Sequence, residues 1–242
     1  MLLATLMALM LSTSAPPVAV PSAVQLAWQA RQVGAMITYS MQTLKLIPVH
    51  SKAGCLPAAA FAPTSLDTDQ WIASVAAFGG KYAVLTATHR TGFALWPTAS
   101  HGYSVKGSPT LQARDVLAEF VASCRKHNVS AGVFWTQRFS DFFGVPDGGL
   151  VWSNRTAHCN GTTCQRVSQA RYDAMMKEQL QELSKYGFDE FWVNGDIEGP
   201  SAPALEALVL RLFPNAVCHG CFWKRAATGK IENAIRWVRG KA

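Results

Sequence analysis

Three places in this sequence gather side chains able to do chemistry. Asp196 and Glu198 stand two apart just past the apolar stretch from Glu190 to Val193, and carboxylates so placed can act as nucleophile, acid or base. Beside the Gly199-Pro200 turn they can equally be plain loop carboxylates. His89 and Arg90 follow the apolar run from Tyr82 to Ala87. The first reads as a structural histidine or as a contact for a hydroxyl, and the second is a permanent cation. Cys218 and Cys221 form a C-x-x-C behind a third apolar run. A structural disulfide outweighs a redox pair there, and zinc would need a second pair at similar spacing, which the sequence lacks. No Gly-rich phosphate loop follows any apolar run, which argues against nucleotide binding.

These groups are positioned by an alternating pattern. Apolar runs at Ala35 to Tyr39, Tyr82 to Ala87, Ala131 to Thr136, Glu190 to Val193 and Ala216 to Cys218 are nearly continuous, as in parallel strands buried on both faces. Amphipathic segments lie between them. One helix is predicted to open at Asp67, with Gln70 three residues on, and to stop at Gly79. A second starts at Asp115 and buries Val116, Leu117, Phe120, Val121 and Cys124. A third, from about Gln169 to Tyr186, puts Tyr172, Met176, Leu180 and Leu183 on one stripe and ends at Gly187. A fourth runs from Pro203 to Leu212 and is closed by Pro214. The repeat predicts an α/β fold with a parallel sheet under helices. Five strand–helix units against the eight of a closed barrel predict a partial (β/α)8 (TIM-type) barrel, C-terminally incomplete; an open doubly wound sheet is the alternative.

The chain has 242 residues, 49% hydrophobic and 15% charged, enough for one domain with a large core. The net charge of +7 is concentrated at the end: Lys224, Arg225, Lys230, Arg236, Arg239 and Lys241 face Glu232 alone. This reads as a solvated end rather than a polyanion site, and no DNA- or RNA-binding motif accompanies it. Residues 1–24 read as a leader: Met1 to Leu11 is too short an apolar run to span a bilayer but suits a signal-peptide core. Asn128, Asn154 and Asn160 open sequons, and six cysteines fit an oxidising compartment, so a secreted or endomembrane-lumen glycoprotein without a membrane anchor is expected. Cys159 and Cys164 close a tight loop, Cys124 reads as a buried free thiol, and Cys55 has no evident partner.

The stretch Leu85-Thr86-Ala87-Thr88-His89-Arg90-Thr91-Gly92-Phe93-Ala94-Leu95-Trp96-Pro97 resembles the glycoside hydrolase family 29 α-L-fucosidase signature L-T-A-K-H-H-D-G-F-x-L-W-P. Asp67 to Trp71, Tyr103-Ser104-Val105 and Arg114-Asp115 fall where that family has them. Leu26-Ala27-Trp28-Gln29 and Phe61-Ala62-Pro63 resemble plant members, and Asn233 to Val238 resembles N-A-x-R-W-x. The resemblance spans roughly residues 25–240 of an expected barrel domain at 25–242 and implies a retaining exo-glycosidase acting on α-L-fucosyl glycans. Such an enzyme uses two carboxylates about 5 Å apart and no metal or organic cofactor.

The resemblance also marks replacements. The family's W-F-D-G reads Trp192-Val193-Asn194-Gly195, so Asn194 falls on the nucleophile position, and an amide neither attacks nor carries charge. Asp196, about 6–7 Å further along extended chain, and Glu198 are the carboxylates left in that loop. The family's strand-one histidine is Thr38, and the second of its paired histidines is Arg90. Trp96, Trp135 (within Phe134-Trp135-Thr136) and Trp192 match its aromatic positions, as a sugar floor or as barrel filling. The implied functions are therefore a fucosidase or a non-catalytic glycan-binding or structural relative, a pseudoenzyme or truncated product. The fucose reading requires the loop after the fourth strand to open beside His89 and Trp192, at one end of the sheet.

Overall fold

The computed structural model describes residues 21–46, 56–151, 165 and 167–220. Residues 1–20 of the expected leader, Cys55, Cys159, Cys164, Cys221, Asn154, Asn160, the basic end and Asn233 to Val238 lie outside the described residues, while residues 21–24 of that leader are described.

Five parallel strands form one sheet in the order β1 (Gly34–Ile37), β2 (Tyr82–Thr86), β3 (Ser130–Trp135), β4 (Glu190–Val193) and β5 (Val217–His219). Each strand lies beside its predecessor and the order never reverses. A doubly wound sheet requires a reversal, so this progression is that of a partial TIM-type barrel. All five strands fall within two residues of their predicted positions, and the central runs of β2, β3 and β4 are largely buried on both faces. In β2, Ala83, Val84 and Leu85 are all buried.

The crossovers are helices with readable ends. Asp67 caps α3 (Thr68–Ala77) by accepting from Gln70 N at 3.0 Å, and Asp115 caps α4 (Val116–Lys126) by accepting from Ala118 N at 2.9 Å. The side chain of Gln70 turns to Ser74 rather than back to the cap. Helix α5 (Gln169–Leu183) buries Tyr172, Met176, Leu180 and Leu183, and its last turn tightens before Gly187 at φ +70°. Helix α6 (Ala202–Leu212) precedes β5. Cys124 is fully buried and free, and burial pushes its thiol up to about 12. Two further helices are present: α1 (Ala23–Gln29), opened by a capping box of Ser22 and Gln25, and the single turn α2 (Met41–Leu44) behind β1. Among the described residues no helix is long and apolar enough to cross a membrane.

Pleat parity sorts the strand side chains into two layers. Trp135 and Phe191 face the helices: Trp135 is wholly buried with its indole N–H on Gln179 of α5 at 2.8 Å, and Phe191 packs on Phe213 past α6. Phe134, Glu190, Trp192 and His219 take the inner face. The amino end of that face is covered by α1, whose Trp28 lies 6.1 Å from Tyr82 and 4.8 Å from His219.

Glu182 of α5 ties the loop after β2 to the helix layer. Its carboxylate accepts from Trp96 Nε1 at 2.7 Å, Thr98 Oγ1 at 2.6 Å and Ala99 N at 2.8 Å. Trp96 is 2% exposed, so Glu182→Ala leaves a buried indole N–H without an acceptor. The expected cost is about 1–2 kcal/mol, a fall in Tm of roughly 3–6 °C, read by thermal denaturation. An unchanged melt would show that this anchor is dispensable.

Candidate active site

The carboxyl ends of β1 to β4 bring the candidate groups together. Thr86, last in β2, bonds the backbone of Tyr39 from both sides: its Oγ1 accepts from Tyr39 N at 3.1 Å and donates to Tyr39 O at 3.2 Å. Thr38 contributes its carbonyl, which accepts from Thr43 Oγ1 at 3.0 Å. The buried Gln42 then meets His89 Nδ1 through its Oε1 at 3.0 Å. Because that oxygen only accepts, Nδ1 carries the proton and Nε2 is left as the acceptor of a neutral ring. Burial, with the charge of Arg90, holds the imidazole below its usual range, so it is neutral at physiological pH.

His89 stacks on Phe134 at 5.9 Å, Phe134 is the register partner of Trp192, and Trp192 stacks on His219 at 4.1 Å. His89 and Trp192 therefore lie on one face, in a row of rings across β2 to β5. Trp96 and Trp135 do not join it. Each is buried with its indole N–H spent on α5, Trp96 on Glu182 and Trp135 on Gln179. The inner ring of β3 is Phe134, because Trp135 has the opposite parity. A separate hollow beside the amino end of β5, lined by Ser22, Gln25, Phe213 and Val217, is remote from this row.

Asn194 ends β4. Its backbone N–H donates to Trp135 O at 2.9 Å and its side-chain Nδ2 to Thr136 Oγ1 at 3.2 Å. The next residue, Gly195, turns at φ +77°, as the Asn-Gly pair suggests. Gly220 closes behind β5 so tightly that a Cβ there would lie 2.6 Å from Val193 O and 2.8 Å from Gly195 O. Any side chain at 220 would push this loop away.

The charged groups stand just outside the ring row. Arg90 pairs with Asp141 at 3.5 Å and lies 5.1 Å from the Phe139 ring centre. Arg138 pairs with Asp147 at 2.5 Å and Glu198 at 3.2 Å, and Asp196 lies within its electrostatic reach. The Arg138 hydrogen bond holds Asp147 below the usual carboxylate range, the opposite of what a proton donor needs. Gln137, wholly buried, clamps the backbone of Glu198 by donating to its carbonyl at 2.9 Å and accepting from its N–H at 3.1 Å. Neither Gln42 nor Gln137 carries a sequence motif. Their only signal is position, within a few residues of a strand's carboxyl end. Among the described residues no cluster of three or more His, Cys, Asp or Glu is arranged to hold a metal ion.

The alpha-L-fucosidase family model matches residues 25–233. The chain is 29% identical over 185 residues to alpha-L-fucosidase 1 of Arabidopsis thaliana, covering 74% of this chain and 32% of that protein. It is 30% identical over 175 residues to tissue alpha-L-fucosidase of Rattus norvegicus, covering 72% and 34%. A crystal structure of an α-L-fucosidase-type protein from Bacteroides thetaiotaomicron superposes with a TM-score of 0.71 at 28% identity, covering 90% of this chain and 52% of that one. The chain thus spans about a third of the length of these two curated relatives.

Proposed function

The chain belongs to the alpha-L-fucosidase family, and from that premise we propose that it is an α-L-fucosidase-like glycoside hydrolase that binds α-L-fucosyl groups of glycans at the carboxyl ends of its strands. Turnover in this reading is held down by the amide of Asn194 at the nucleophile position. The observation that carries it is the ring row: a neutral His89 beside Phe134 and Trp192 on one inner face. Apolar rings there suit the C6 methyl of a deoxysugar, while Nε2 of His89 accepts from a sugar hydroxyl. Asp196 and Glu198 stand in the loop next to Asn194 as the carboxylates of a residual or alternative reaction. Secretion, with glycosylation and disulfides, belongs to the same proposal.

Calorimetric titration with methyl α-L-fucopyranoside tests it. The purified protein is expected to bind the fucoside more tightly than methyl α-L-galactopyranoside, which differs only in carrying a C6 hydroxyl in place of a methyl hydrogen. His89→Ala should weaken binding about tenfold, the value of one well-placed hydrogen bond. A protein that melts normally yet takes up no fucoside would end this reading.

A further inference from the structure

Glu190 is wholly buried at the start of β4, and no glycosidase role is assigned to it. Its Oε2 accepts from Trp192 Nε1 at 3.2 Å, and its Oε1 lies 3.5 Å from Arg31 Nη1. His219 stacks on the Trp192 ring at 4.1 Å with 27° between planes, and Trp28 backs His219 in turn. The Trp192 ring is thus fixed at its N–H edge and on one face, while the side chain as a whole stays half-buried. A ring so held keeps its tilt without help from a ligand, and a preset stacking platform is what a pyranose needs.

We propose that Glu190 is a positioning residue for the sugar, acting through the indole N–H of Trp192 rather than by touching the ligand. The inference rests on the fucose reading above, which supplies the sugar. Both functions of the carboxylate can be separated. The hydrogen bond to Trp192 needs only an acceptor oxygen, which glutamine also offers, whereas the pairing with Arg31 needs charge. Burial raises the Glu190 carboxyl, against the pull of Trp192, Trp28 and Arg31.

The test compares Glu190→Gln, Glu190→Leu and Arg31→Met in the full chain by titration with methyl α-L-fucopyranoside. The Trp192 indole N–H is followed by NMR, identified by its absence in Trp192→Phe. Glu190→Gln and Arg31→Met are expected to bind within about twofold of the parent, and Glu190→Leu to lose about three- to tenfold, the worth of an aromatic stacking contact. The indole N–H should move upfield in Glu190→Leu and stay in place in the other two. If Glu190→Gln or Arg31→Met loses as much affinity as Glu190→Leu, the ion pair rather than the platform is at work and the proposal is overturned. An unmoved indole resonance in Glu190→Leu overturns it as well. That readout needs no sugar, so it is separate from the failure of the fucose reading, which would show as a parent protein that binds nothing.

Discussion

Asn194→Asp should raise hydrolysis of 4-nitrophenyl α-L-fucopyranoside by about 10²-fold or more. The position ends β4, with its backbone tied to Trp135 O at 2.9 Å, so a replacement there inherits a fixed origin. The amide now donates to Thr136 Oγ1 at 3.2 Å, and that hydroxyl also reaches Thr88 O at a long 3.4 Å. A carboxylate reverses the first bond: the Thr136 hydroxyl turns to donate to the new carboxylate and gives up its long bond to Thr88 O, an exchange of one weak bond for a charge-assisted one. The substitution therefore adds charge and nucleophilicity with little structural cost. Loss of a single catalytic group from a concerted set costs several orders of magnitude, so restoring one is expected to be a large effect. The nitrophenolate leaves with little protonation, which makes the result independent of which group serves as general acid. A variant that binds the fucoside but cleaves it no faster than the parent would show that position 194 is not where attack occurs. The rival arrangement, with Asp196 as nucleophile, makes the reverse forecast: the parent turns over, Asp196→Asn stops it, and Asn194→Asp adds nothing.

The sheet was legible in the sequence because its central strands β2 to β4 are largely buried on both faces, so their runs are nearly continuously apolar, and because Asp67 and Asp115 cap their helices through their own side chains. The candidate site was legible in part. His89 and Trp192 can be found by asking what lies at or past the end of each strand. Trp135 misleads by residue type alone. It shares the parity of Ala131 and Val133, and so goes to α5, while its less conspicuous neighbour Phe134 takes the inner face. Trp96 misleads in the same way, since only the fold shows Glu182 arriving from 86 residues away to bind its indole. The glutamines at 42 and 137 leave no periodic trace, because one polar side chain facing a neighbour across the fold obeys no local spacing, whereas Gln179 sits on the buried stripe of α5 and differs from it only in polarity. The cluster of Arg31, Glu190 and Trp192 joins a segment before β1 to the start of β4, a contact that no window of sequence contains.

Acid should destabilise the fold well before its ordinary carboxylates titrate. His101 is 9% exposed and burial, with the charges of Lys106 and Arg171, lowers it to about 4; burial lowers His219 to about 4 as well. The unfolded chain takes up these protons from about pH 6.5 downward while the folded chain withholds them to about 4. Stability is thus complete above that upper value and is lost as pH falls through the window. For His101 the loss at pH 5 is about 2 kcal/mol, with a smaller share from the more open His219. The raised carboxyl of Glu190 works in the opposite sense, since acid relieves its burial, so the net slope is shallower than the histidines alone would give.

The hydrogen-bond pattern around His101 works in the same direction as its burial. Trp135 Nε1, which can only donate, fixes Oε1 of Gln179 as acceptor at 2.8 Å, so Nε2 of Gln179 must donate to His101 Nε2 at 3.0 Å. A protonated ring would set donor against donor. Flipping the Gln179 amide would only move the conflict to Trp135. Thermal melts are accordingly expected to fall by roughly 4–8 °C between pH 7.5 and pH 5. In His101→Asn, whose side-chain oxygen can still accept from Gln179, most of that slope should vanish, even if its melt at pH 7.5 is lower. Equal slopes in the two proteins would mean that the acid sensitivity lies elsewhere. The same network carries Trp135, the residue whose carbonyl holds the backbone of Asn194, so protonation of His101 disturbs the packing directly behind the position from which attack would come.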